Sequence, residues 1–102
     1  DNTALSALSS IIKIANAANI PVFSSDTDTI ELGVLAALGP NQYQIGQQTA
    51  KIVKRVLQGE IIANIPVEWP DQTELKINLQ AAKKLGLNID NDLIKSANQV
   101  IQ

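Results

Sequence analysis

Residues 20–33 read IPVFSSDTDTIELG, and the succession of residue types in them indicates the fold class. A short apolar run (Ile20, Val22, Phe23) stops at Ser24 and Ser25, and Asp26-Thr27-Asp28-Thr29 then opens a short helix. Gly33 stands where such a helix would end. Apolar residues followed by small polar ones mark the point where a buried parallel strand leaves its sheet. Ligands of open α/β sheets bind beyond the carboxyl ends of the strands, which puts Ser24, Ser25, Asp26 and Thr27 at a binding edge. There they adjoin helix N–H groups that have no intrahelical partner.

Upstream, residues 4–19 (ALSALSSIIKIANAAN) carry Leu5, Leu8, Ile12 and Ala15 at helical spacing, with Ala4, Ala7, Ile11, Ile14 and Ala18 widening the stripe. Asn2 or Thr3 is suited to cap this helix; the same geometry would turn a polar group towards a ligand. Asn19-Ile20-Pro21 ends it, because the residue before a proline avoids the α region. Downstream, residues 34–38 (VLAAL) predict a brief apolar strand bounded by Gly39-Pro40. Residues 41–60 predict a helix with Tyr43, Gly46, Ala50, Val53 and Leu57 on one face, flanked by Ile45, Thr49, Ile52 and Val56. Lys51, Lys54 and Arg55 fall on the outer face, read as a solvated surface near a helix C-terminus, and Gly59 stops the helix.

Residues 60–72 (EIIANIPVEWPDQ) hold two prolines and no clear period, so an extended crossing segment is expected. Leu75, Ile77 and Leu79 alternate with Lys76 and Asn78, which predicts a half-exposed strand over residues 73–79. A short helix over 80–85 ends at Gly86. Asp90 or Asn91 then caps a last helix with Leu93, Ile94, Ala97, Val100 and Ile101 facing inward. Helices alternate with three visible strands, and a further strand is expected ahead of residue 1. The class is α/β, a parallel sheet flanked by helices.

The composition narrows the chemistry. A chain of 102 residues makes one domain at most, and 45% hydrophobic residues with 18% charged ones supply a core. A net charge of −2 with scattered basic residues argues against nucleic acid. The chain has no Cys and no His, which removes thiol chemistry, the usual zinc sites and imidazole acid–base schemes. Neither GxGxxG nor GxxxxGK[ST] occurs. Asp26 and Asp28 could serve a hydrolase or a magnesium ion, but no nucleophile, basic partner or third acidic ligand accompanies them. Caps are the plainer reading. A carboxylate at a strand end beside helix N–H groups suits a zwitterion such as an amino acid. No apolar run is long enough for a membrane span, and none reads as a secretory signal. The opening DNTALS, without Met, reads as a piece of a longer protein.

Several short motifs recur in one order. An IPVF…D strand end is followed by G-x-x-A-x-x-G-x-x-x-Y-x-x-G at Gly33, Ala36, Gly39, Tyr43 and Gly46. Gln58-Gly59-Glu60, an IPVE segment and N-L-x-A-A-x-x-x-G (Asn78, Leu79, Ala81, Ala82, Gly86) come next. Nearly from end to end, the chain resembles the C-terminal part of substrate-binding proteins of bacterial ABC transporters, in particular the group linked to tryptophan and tyrosine uptake. Two departures stand out: Asp90 replaces a common Pro, and Gln47-Gln48 replaces an Arg-containing pair on a face not expected to touch ligand.

The resemblance implies a partial type I periplasmic-binding-protein-like three-layer fold. Residues 1–40 would end the second lobe, 41–70 would form the helix and crossing segment returning to the first, and 71–102 the final strand and C-terminal helices. Crossings are expected near residues 39–41 and 65–70. Two loops would face the cleft, bringing Asp1, Asn2 and Thr3 together with Ser25, Asp26 and Thr27, and Asp26 would hold a ligand ammonium group. The implied protein is no enzyme and needs no metal or cofactor. It is a periplasmic or lipoprotein receptor that passes an amino acid, aromatic by preference, to an ABC permease. A sensor feeding a signalling partner and an inactive truncated fragment are the alternatives. Exposed lobe surfaces would also favour a homodimer or a segment-swapped assembly of the fragment.

Overall fold

The structure, a computed structural model, describes residues 2–102; Asp1, one of the six expected site residues, lies outside them. Two compact units divide the chain, one made of the residues up to Gly39 together with Glu74–Gln102, the other of Pro40–Thr73. Residues 65–70, where a crossing was expected, therefore fall inside the second unit.

The first unit is built on a four-stranded sheet in the order β1-β2-β3-β4, comprising β1 (Phe23–Ser24), β2 (Ala36–Pro40), β3 (Thr73–Asn78) and β4 (Gln99–Ile101). The outer pairs are parallel, with Phe23 opposite Ala36 and Ile77 opposite Val100. The Asn78 N–H donates to the Leu35 carbonyl at 2.9 Å and links the two pairs. The sequence predicts three strands, and the fourth comes from the expected last helix. That helix, α5 (Asn91–Ser96), stops early because Ala97 turns extended and Asn98 docks on β3, its N–H on the Leu75 carbonyl and its Oδ1 on the Leu75 N–H, both at 2.8 Å. Val100 and Ile101, β-branched, then suit a strand better than a frayed helix end.

Two apolar clusters flank the sheet. Ile12, Ile30, Val34 and Ala37 form one, with Leu8, Val22 and Ile101 packed against it. Leu35, Ala81 and Ala82 form the other, with Ile89. Val34 and Leu35 are consecutive yet enter different clusters, as alternation along an extended chain requires. The result is a three-layer arrangement. Of the expected stripe, Leu8, Ile12 and Ala15 face inward while Leu5, Ile11 and Ile14 stand exposed, and the helix is broken into α1 (Asn2–Ser6) and α2 (Leu8–Ala17). The break follows Ser6, whose hydroxyl donates back to the Thr3 carbonyl at 2.8 Å, a bond that competes with the helical ladder. α2 ends on Asn19, at φ 55°, with the Ile20 N–H returning to the Ala15 carbonyl at 2.8 Å and the Asn19 N–H to Asn16 at 3.1 Å.

β3 also departs from its expected face pattern. Lys76 and Asn78 were assigned to solvent, yet both are turned into the structure. Asn78 is buried and satisfied on both sides of its amide: Nδ2 donates to the Ile30 carbonyl at 3.0 Å and Oδ1 caps α4 (Leu79–Lys84) through the Ala81 N–H at 2.9 Å. Among the described residues, no buried side-chain polar atom lacks a hydrogen-bond partner.

The second unit is α3 (Gln42–Leu57), a 3-10 turn at Ile62–Asn64 and an otherwise irregular segment. Asn41 caps α3, accepting from the Gln44 N–H at 3.0 Å. None of its residues is buried, and Tyr43, Val53, Leu57, Val67 and Trp69 all stand exposed. Arg55, expected on a solvated basic face, is instead held by Glu60 in a two-point bond (2.7 and 2.6 Å), with Glu68 at 3.9 Å.

Candidate functional site

The loop after β1 is organised by its own side chains. Ser24 Oγ accepts from the Asp26 N–H at 3.0 Å, and Asp26 Oδ1 accepts from the Asp28 N–H at 3.1 Å. The Asp26 carbonyl takes both the N–H and the hydroxyl of Thr29, at 3.2 and 2.6 Å. Asp26 thereby starts the 3-10 turn Thr27–Leu32, which closes at Gly33 in the left-handed region (φ 108°). The N–H groups expected to await an anion at Asp28 and Thr29 are satisfied by Asp26 itself. Its carboxylate has about four lone-pair sites, so one capping bond leaves it able to accept an ammonium group.

Of the expected site residues, Asn2, Ser25 and Asp26 come together on the rim of one depression of about 480 Å³. Ser24 joins them, and Leu5, Leu8, Ile11, Val22 and Phe23 form its apolar wall. Thr3 does not line it: Asn2 and Thr3 sit inside the first turn of α1, not at the cap position expected of them. Thr27 turns the other way. It is 2% exposed, and its hydroxyl donates to Glu74 Oε1 at 2.7 Å. Behind the loop, Lys76 lies 3.2 Å from Glu74 and 3.9 Å from Asp28. Sequence reasoning missed this support, because Lys76 read as the solvent side of a strand. It also put Phe23 in the interior, whereas Phe23 is 66% exposed and lines the depression. The pattern predicted a strand through residue 23 but not which neighbours would cover its two faces.

The site pairs a carboxylate and an amide with an apolar wall, which is equipment for recognition. Among the described residues, no group of three or more His, Cys, Asp or Glu side chains could hold a metal ion. No described helix is long and apolar enough to cross a membrane.

Residues 1–101 match the family model described as ABC transporter substrate binding protein. The chain belongs to that family. Among curated relatives of this substrate-binding chain, a tyrosine-binding protein of Clostridioides difficile (strain R20291) is 31% identical over 87 residues, 85% of this chain and 25% of that protein. A conserved domain protein from Vibrio cholerae superposes with a TM-score of 0.89 at 38% identity, over 98% of this chain and 34% of its own. An ABC domain in complex with L-Trp from Streptococcus pneumoniae gives 0.89 at 32% identity, over 99% and 34%. The chain thus spans about a quarter to a third of the length of these relatives. Their agreement over nearly the whole of it supports a substrate-binding-protein fold.

Proposed function

We propose that this chain supplies part of one face of the binding cleft in an extracytoplasmic solute receptor. The receptor captures an amino acid, aromatic by preference, and delivers it to an ABC permease without catalysis. The unit containing β1 to β4 would belong to the second lobe and Pro40–Thr73 to the first. The observation that carries this reading is the convergence of Asn2, Ser25 and Asp26 on one depression in a chain of this family. Asp26 accepts the ligand ammonium group, and Asn2 and Ser25 serve its polar end. Relatives named for tyrosine and crystallised with L-Trp favour an aromatic side chain.

A receptor of this kind draws affinity from both lobes, so one face alone binds weakly. Titration of the 15N-labelled 102-residue chain with L-tryptophan and L-tyrosine is expected to shift the amides of Asn2, Ser25 and Asp26, with a Kd of about 1 mM, equivalent to about −4 kcal/mol. Asp26→Asn retains the capping oxygen and removes the charge, so it abolishes the shifts and leaves the fold intact. Absence of shifts at these residues up to tens of millimolar, or micromolar affinity by calorimetry, would overturn the reading.

A further inference from the structure

The hydrogen bonds that shape the loop after β1 are local. Ser24 Oγ, the Asp26 carboxylate and the Asp26 carbonyl take donors no more than three residues away. Such bonds travel with the loop: they set its internal shape and leave its direction against the sheet to longer-range contacts. Polar contacts of that kind come from β3. Glu74, Lys76 and Asn78 alternate along the strand, so their side chains leave on one face. Each reaches a different residue of the turn that Asp26 starts. Glu74 Oε1 accepts from the Thr27 hydroxyl at 2.7 Å, Lys76 Nζ lies 3.9 Å from Asp28, and Asn78 Nδ2 donates to the Ile30 carbonyl at 3.0 Å.

The Thr27 contact stands next to Asp26 in the chain and is closed off from water. Thr27 is 2% exposed, and the Glu74 and Lys76 side chains keep 15% and 14% of their surface. Lys76 Nζ, 3.2 Å from Glu74 Oε1, offsets the Glu74 charge. Well-packed apolar side chains of the same volume often stabilise a fold as much as a buried ion pair does. They lack direction, however, whereas a hydroxyl–carboxylate bond holds only over a narrow range of lengths and angles. We propose that Glu74 is a positioning residue for the binding loop: through Thr27 it fixes the peptide that follows Asp26 and so aims the Asp26 carboxylate into the depression. Neither Glu74 nor Thr27 lines that depression. The consequence for ligand capture rests on the reading of Asp26 as the ammonium acceptor; the consequence for the loop does not.

Amide hydrogen exchange on the 102-residue chain separates this role from general support of the fold. Thr27→Val keeps the shape of the side chain and removes its hydroxyl; Glu74→Leu removes the acceptor. The Asp28 and Thr29 N–H groups both bond to Asp26. Each variant is expected to accelerate their exchange about tenfold, the worth of one hydrogen bond to a charged group. The N–H groups of Leu35 and Asn78, bonded within the sheet, should keep their rates. The double variant should go no further than either single one, because both remove the same bond. Thr27→Ser keeps the hydroxyl and should restore the unaltered rates. In parallel, the Kd for L-tryptophan should rise about fivefold in Thr27→Val and return in Thr27→Ser. If Glu74→Leu fails to fold, because Lys76 loses its partner, the two Thr27 variants decide the matter. Unchanged rates at Asp28 and Thr29, or acceleration shared equally by Leu35 and Asn78, would overturn the proposal. So would a Kd unmoved by Thr27→Val. An unaltered chain that binds no L-tryptophan would overturn the ligand reading alone, and the exchange rates would still decide the role of Glu74.

Discussion

A methyl group at residue 39 has nowhere to go. The Ser25 carbonyl oxygen lies 2.0 Å from where it would stand, and backbone atoms cannot swing aside as a side chain can. Gly39→Ala is expected to destabilise the first unit by about 3 kcal/mol, read as a lowered urea midpoint; an unchanged midpoint would contradict the close approach. Asn78→Ala removes a cap worth about 1 kcal/mol and one of the two donors to the Ile30 carbonyl, which keeps the Gly33 N–H at 3.3 Å, at a further cost of about 1 kcal/mol. A loss below 1 kcal/mol in the same assay would show that Asn78 does not join Ile30 to α4. The capping role of Asp26 was legible from its place at the start of a short helix after an apolar strand. The direction of Thr27 was not, since one hydroxyl serves a ligand or a buried carboxylate with equal local chemistry.

At the scale of elements, the end of α3 makes a pH-dependent contribution. The hydrogen bond from the Arg55 guanidinium, reinforced by its charge, holds the Glu60 carboxyl below its ordinary value of 4.5 and raises Arg55 in turn. A carboxyl lowered on folding stabilises the folded chain above its unfolded pKa. That stabilisation is lost as pH falls through the folded value. The stability difference between the unaltered chain and Glu60→Gln should therefore be largest above pH 4.5 and vanish in acid. Both side chains are about a third exposed, so added salt should shrink it. A difference independent of pH would remove the ion pair from the account. Period and stop residues located α3 to within one residue at its start and three at its end, because its pattern runs for four turns. The last segment misled because Val100 and Ile101 fit a helical stripe as well as a strand, and only the bonds of Asn98 to β3 select the strand.

For the molecule as a whole, the exposed apolar side chains carry the main consequence. Phe23 and Leu38 on the sheet, and Leu57 on α3 and Trp69 in the second unit, stand exposed, and apolar side chains left in water favour association where they form a patch. The 102-residue chain is expected to dimerise at micromolar concentration. Size exclusion with light scattering would read twice the 10.9 kDa chain mass; a clean monomer would contradict the expectation. The sequence by itself determined the α/β class, the stripe Leu8–Ile12–Ala15, the limits of α3 and the loop that carries Asp26. Each of these depends on neighbours a few residues apart, where periodicity, capping and turn chemistry act. Only the tertiary structure decided that residues 99–101 pair with β3, that Lys76 and Asn78 turn inward, and that Thr27 turns to Glu74. Those outcomes depend on partners some twenty to fifty positions away in the chain, whose proximity no local pattern encodes.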